Sequence, residues 1–228
     1  MSGSTPVPRG VVFDLDGTLV DNMSIHAEAF SSFSGRHGLP PLTLEDRARL
    51  DGKRNRDIFP ILFGRPLDEP TLSAYADEKE SIYRELSRGQ LVPLSGLTRL
   101  LSVLAARRIG VALATSAPEP NVRHSLEELG LGALGARVAR SDQVPRGKPH
   151  PDVFLAAAAM LGVPPESCLA FEDAPLGVAA ARSAGMTCVA LATTFSRESL
   201  ASLHPPPHYV VADFEEYLAG PGAVLTGP

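Results

Sequence analysis

Gly10-Val11-Val12-Phe13-Asp14-Leu15-Asp16-Gly17-Thr18-Leu19 decides how the chain is read. Its apolar start has the length and composition of a buried strand. Asp14 and Asp16 follow at a spacing that turns two strand side chains to the same face. Two such charges are costly to hold together unless a cation sits between them or they share a proton. Gly17 then allows a tight reversal that a Cβ would resist. An apolar strand that delivers paired acids into a turn marks a site at a strand end.

Working outward, residues 110–114, 168–171, 187–192 and 208–212 are further apolar runs, with 137–140 a weaker one. Together with 10–15 they read as buried parallel strands. Helical patterns lie between them at 96–107, 120–129, 151–161 and 175–183. Strands alternating with helices predict an α/β fold, a doubly wound (Rossmann-like) parallel sheet covered on both faces. One interval breaks the alternation. From about residue 22 to 91 the patterns are helical, at 24–36 and 71–86, and no strand is evident. This predicts an inserted all-helical cap domain over 22–91 on a core of 1–21 and 92–228, with linkers near 20–22 and 89–93. The Gly/Pro-rich residues 219–228 are expected to fray.

The 228 residues are 44% apolar and 21% charged, with a formal net charge of -5, the balance of a soluble globular protein. Without a basic stripe, nucleic acid is not an expected partner. Cys168 and Cys188 are too few for a disulfide framework or a cysteine metal site, and both sit in apolar runs. Residues 1–9 have no apolar core of leader length and no run approaches a membrane span, so a cytoplasmic protein with no membrane partner is expected. It is expected to work as a monomer or weak dimer.

In open α/β sheets ligands bind beyond the carboxyl ends of the strands. Four polar groups stand at such ends: Asp14/Asp16, Thr115-Ser116-Ala117, Lys148 in Arg146-Gly147-Lys148-Pro149-His150-Pro151, and Glu172-Asp173. Carboxylates without histidine or thiolate partners suit a hard cation such as Mg²⁺. Thr115 and Lys148 supply donors and positive charge for a phosphoryl oxygen. Each group also has a plainer reading, as a turn, a helix cap, a solvated cation or an acidic first turn. Four of them at consecutive strand ends favour a site.

Phe13-Asp14-Leu15-Asp16-Gly17-Thr18-Leu19, the strand ending in Thr115, Gly147-Lys148-Pro149 and Phe171-Glu172-Asp173-Ala174-Pro175 together resemble the haloacid dehalogenase-like superfamily. The nearest branch is the one containing β-phosphoglucomutase and phosphoglycolate phosphatase, whose helical cap is inserted where the strand pattern lapses here. The resemblance implies that Asp14 is the nucleophile, forming an aspartyl-phosphate, and that Asp16 is the general acid/base. Dehalogenase members lack this second acid, which argues for phosphoryl transfer. The resemblance implies Mg²⁺ held by Asp14, the Asp16 backbone carbonyl and Asp173, with Glu172 in support. Thr115 and Lys148 match the groups on the transferring oxygens, with Ser116 and Ala117 adding backbone donors.

The same resemblance places His26 and Lys79 of the cap against substrate, and Lys53 and Arg54 on the cap loop are further candidates for substrate contact. Asn55 stands where the mutase carries a phosphate-gripping arginine, and Asn22 replaces a hinge threonine; Arg54 and Arg56 flank the first of these. The expected activity is a Mg²⁺-dependent phosphatase for a small phosphorylated metabolite. A β-phosphoglucomutase-type mutase is the alternative. A pyrophosphatase, suggested by Asp51, and a non-catalytic binding module are weaker ones.

Overall fold

The apolar runs form six parallel strands, β1 (Gly10–Phe13), β2 (Gly110–Thr115), β3 (Val138–Arg140), β4 (Cys168–Glu172), β5 (Thr187–Leu191) and β6 (Tyr209–Val211). The structure is a computed structural model that describes residues 7–226. Strand order across the sheet is β3-β2-β1-β4-β5-β6, so the winding reverses between β1 and β4. Phe13 is in register with Leu113 on one side and Phe171 on the other, which brings the carboxyl ends of β1, β2 and β4 level.

Alternation along the strands sorts the core into two layers. Val11, Phe13, Leu113, Leu169, Phe171, Val189 and Leu191 face one side with α5 (Leu97–Ala106), α6 (Glu119–Glu128) and α10 (Phe214–Ala219). Val12, Ala112, Ala114, Ala170, Cys188 and Ala190 face the other with α7 (Asp152–Leu161), α8 (Pro175–Ser183) and α9 (Arg197–Ala201). Phe13 and Phe171 stack at 5.0 Å, and Phe214 meets them edge-on at 5.8 and 5.1 Å. Burying a side chain of this size contributes about 1.5–3 kcal/mol. The aromatic group therefore anchors the strand ends that carry Asp14 and Glu172.

Between β1 and α5 lie α1 (Met23–Arg36), α2 (Leu44–Leu50), α3 (Asn55–Leu62) and α4 (Glu69–Ser87). They bury a cluster of their own, with Ala29, Phe33, Phe59, Leu72, Ile82 and Tyr83 at its centre. The two ends of this insert run side by side: Val20 pairs with Pro93, and the Leu94 amide donates to the Leu19 carbonyl at 2.8 Å.

Strand β1 stops at Phe13 rather than continuing to Leu15, because the Asp14 amide is the last to reach β4, at Phe171 O. Asp14 and Asp16 thus both leave the ladder, and strand alternation does not orient them. Residues 219–226 do not fray: a 3-10 turn, Ala223–Leu225, buries Leu225 against α10. Residues 1–6, part of the segment expected to lack a leader, and residues 227–228 lie outside the described residues. Among the described residues no helix is long and apolar enough to cross a membrane.

Candidate active site

Where β1, β2 and β4 end, the chain turns back on itself under the helical insert and leaves a cavity of about 80 Å³. Its floor is a charged cluster. Lys148 Nζ donates to Asp14 Oδ1 and to Glu172 Oε1, both at 2.6 Å. Glu172 Oε2 accepts the amides of Asp173 and Ala174, each at 2.9 Å. Both Glu172 oxygens are therefore occupied. Asp173 Oδ1 accepts Thr18 Oγ1 at 3.3 Å, and Thr194 Oγ1 donates to Oδ2. Among the described residues no donor reaches Asp14 Oδ2.

Three buried carboxylates, Asp14, Glu172 and Asp173, offer oxygens within 4.8 Å of one another against one ammonium. The surplus charge shows in the proton affinities. Burial, with Glu172 and Asp16 adding to it against the pull of Lys148, pushes Asp14 up to about 7. Burial, then Glu172 and Asp14, raise Asp173 well above the carboxylate range. Burial works against the Lys148 ammonium, but Asp14 and Glu172 outweigh it and hold the proton more tightly than usual. A cluster with this excess of buried negative charge suits a cation.

Asp16 sits differently. Burial opposes its charge, yet His26 and a hydrogen bond from Asn22 hold it below the usual range. Asn22 Nδ2 lies 2.7 Å from Asp16 Oδ1 and 2.6 Å from Tyr83 Oη, and Asn22 Oδ1 accepts the Gly17 amide at 3.0 Å. The His26 ring stacks on Tyr83 at 3.8 Å and 6°. Lys79 Nζ lies 3.0 Å from His26 Nδ1 and 3.0 Å from Glu80 Oε1. His26 Nε2 lies 3.4 Å from Asp16 Oδ1, poorly aligned for a hydrogen bond, and is buried without another partner.

Of the residues singled out in the sequence, Asp14, Asp16, His26, Lys53, Lys79, Thr115, Ser116, Ala117, Lys148, Glu172 and Asp173 all line this pocket. Arg54 does not. Its guanidinium is taken by Asp57, at 2.6 and 3.2 Å, and by the Ser141 carbonyl, at 3.3 Å. Arg56 pairs with Glu69 on the surface. The Ala117 amide, expected as a free donor, is bonded to Thr115 Oγ1 at 3.0 Å. Ser116 Oγ donates to the Gly52 carbonyl of the insert at 2.6 Å. Asp51 lines the pocket and pairs with Arg47 at 3.1 Å; burial raises it despite that cation.

Sequence reasoning missed Glu80 and Asn121. Glu80, on α4, accepts Lys79, Asn55 Nδ2 at 2.7 Å and Asn121 Nδ2 at 2.5 Å. Asn121 is on α6 of the sheet layer, so this buried carboxylate spans insert and core. Arg84 Nη1 donates to Asn121 Oδ1 at 2.7 Å. A weak signal existed: Glu80 beside Lys79 on an otherwise apolar helix face.

Residues 8–185 match the haloacid dehalogenase-like hydrolases. The chain is similar to hexitol phosphatase A of Escherichia coli, 35% identical over 184 residues, 80% of this chain and 82% of that one. It is similar to beta-phosphoglucomutase of Bacillus subtilis, 33% identical over 191 residues, 79% and 82% of the two chains. A solved HAD hydrolase, family IA, variant 3, from Entamoeba histolytica superposes with a TM-score of 0.83 at 26% identity, covering 96% of this chain and 99% of that one.

Proposed function

The chain belongs to the haloacid dehalogenase-like hydrolases, and from that premise we propose that it is a Mg²⁺-dependent phosphatase for a small phosphorylated metabolite, working through an aspartyl-phosphate. The observation that carries the reading is Asp14 Oδ2. Lys148 holds the other oxygen of this carboxylate, while among the described residues Oδ2 has no donor, and Asp14 lines a pocket with Asp16 and Thr115.

Asp16, ionised before substrate binds, takes a proton from solvent as the negative charge of the bound phosphate raises its affinity. Asp14 Oδ2 then attacks phosphorus, the bond to the leaving oxygen breaks, and Asp16 gives that oxygen the proton. Asp16 then takes a proton from the water that cleaves the aspartyl-phosphate, and free phosphate and both carboxyl groups are regenerated. Thr115 Oγ1 accepts the Ala117 amide, which leaves its hydroxyl proton for a phosphoryl oxygen. His26 Nε2, buried 3.4 Å from Asp16 Oδ1 without a hydrogen bond among the described residues, is available to the leaving group. The donor set fits Mg²⁺: Asp14, Asp173 and the Asp16 backbone carbonyl would hold it, and when bound it offsets the repulsion between carboxylate and phosphate. Glu172 supports the site by fixing Lys148. Helices α1–α4, residues 22–91, act as the cap that excludes water.

The cations lining the pocket favour hydrolysis over mutase chemistry. Lys148 and Lys79 are committed to carboxylates, and among the described lining residues Lys53 is the cation without an acidic partner. That is little to grip a second phosphate. A phosphate-release screen over sugar, polyol and carboxylic-acid monophosphates, pyrophosphate and β-glucose-1-phosphate tests the reading. Release from one or more monophosphates with Mg²⁺, abolished by EDTA, is expected. Conversion of β-glucose-1-phosphate to its isomer with little free phosphate would establish the mutase instead. Pyrophosphate cleavage that fails in Asp51→Ala would establish the pyrophosphatase, and silence across the screen a binding module.

Gly177→Ala tests the floor of the site. A Cβ at Gly177 would fall inside the Glu172 carboxylate, so the alanine must move the group that fixes Lys148. Displacement of a catalytic group by an ångström costs on the order of 100-fold. A drop of that size in kcat, measured by phosphate release with p-nitrophenyl phosphate, is the expected result.

A further inference from the structure

The turn between α2 and α3, residues 51–54, touches the core at two points. The Gly52 carbonyl accepts Ser116 Oγ, which also lies 3.2 Å from Ser141 Oγ. Arg54 reaches the Ser141 carbonyl through Nη1. Between these points the Arg54 side chain runs across Gly147: a Cβ there would stand 3.0, 3.2 and 3.3 Å from its Nε, Cδ and Cγ. Asp57 grips the guanidinium on two nitrogens, so the arm is held extended over the core. Gly147 directly precedes Lys148, whose ammonium bridges Asp14 and Glu172.

We propose that Arg54 is a positioning residue, which clamps the 51–54 turn onto the Gly147-Lys148 loop and so fixes the lysine when that turn is seated. The role expected from the sequence was a grip on substrate. The pocket excludes that side chain, and its three hydrogen bonds leave the contact with Gly147 as its link to the chemistry. A Cβ at 147 would press on the arm, which would have to give by a few tenths of an ångström. The inference rests on the phosphatase reading for what Lys148 does. It does not rest on it for the contact itself.

A plainer role is available to Arg54, which precedes α3 and pairs with Asp57 three residues on. In that case its loss would loosen α3 alone. Amide hydrogen exchange on the full chain separates the two, in Arg54→Ala, Arg54→Lys and Gly147→Ala. The clamp predicts exchange at least about tenfold faster in both 51–57 and 146–152 for Arg54→Ala, because each segment loses its partner. With p-nitrophenyl phosphate and Mg²⁺, kcat should fall about tenfold or more, with KM changed less than about threefold. Arg54→Lys keeps the stem over Gly147 and should recover most of the loss. Gly147→Ala should resemble Arg54→Ala, and the double variant should add little to either.

Unchanged exchange at 146–152 in both Arg54→Ala and Gly147→Ala would overturn the proposal. So would a rise in KM alone, which would return Arg54 to the substrate. If the unaltered enzyme released phosphate from no ester, the phosphatase reading would fall, and exchange by itself would still decide the clamp.

Discussion

Asp14→Asn is expected to lower turnover by about four orders of magnitude or more while leaving the fold intact. Asparagine keeps the shape of the side chain and one oxygen near Lys148, but its amide does not attack phosphorus. The fold has reason to tolerate the change. Asp14 is one of three buried acids crowded within 4.8 Å, and burial with Glu172 and Asp16 pushes it up to about 7 against the pull of Lys148. Removing its charge relieves that crowding, and Lys148 keeps Glu172 as a partner. Phosphate release and a thermal melt on the same sample check both halves. Residual hydrolysis above about a hundredth of the original rate would remove Asp14 from the nucleophile's role.

Lys148→Met should lose activity and stability together, and the two losses have one cause. The ammonium is buried, 2.6 Å from Asp14 and 2.6 Å from Glu172. Taking away one partner of a buried ion pair costs about 3–5 kcal/mol, since the remaining charges cannot reach water. Here the remainder is three carboxylates. In chelator the deficit should depend on pH, and the sign follows from Asp14. Its folded pKa is raised, so the folded state binds the proton more readily than the unfolded chain. That contribution is fully present below the ordinary carboxylate range and is lost as pH rises toward about 7. Without Lys148 the carboxylates are pushed further the same way. The variant should melt closest to the parent near pH 5 and fall behind toward pH 8. Mg²⁺ should stabilise the variant itself relative to its state in chelator, by about 2.7 kcal/mol at 100 times its Kd. A melt of Lys148→Met that matched the parent at pH 8 in EDTA would contradict the account.

Much of this was legible in the sequence for a physical reason. Strands buried on both faces are continuous apolar runs, and a site at their carboxyl ends must follow those runs directly. Asp14, Thr115, Glu172 and Asp173 were therefore found by position alone. The end of β1 was misjudged because Leu15 is apolar but no longer on the ladder. Short helices such as α2, α9 and α10 carry too few turns for a period to emerge. In the insert, Lys53 and Arg54 are neighbours on one turn, yet one lines the pocket and the other lies on Gly147. No periodic pattern orders such a turn. Glu80 and Asn121 meet across 41 positions of sequence, and nothing local announces that pairing.

The Glu80 carboxylate has a consequence for anyone who would re-engineer specificity by transplanting helices 22–91 from a relative. The obvious junctions are the paired segments at Val20 and Pro93, but the graft would arrive with its own residue at 80. Residue 84 would be replaced with it, so Asn121, left on the core, would lose both Glu80 and Arg84 as partners, and a buried amide stripped of its acceptor costs about 1–3 kcal/mol. The functional seam of a chimera therefore passes through the first turn of α6, and position 121 has to travel with the donor helices.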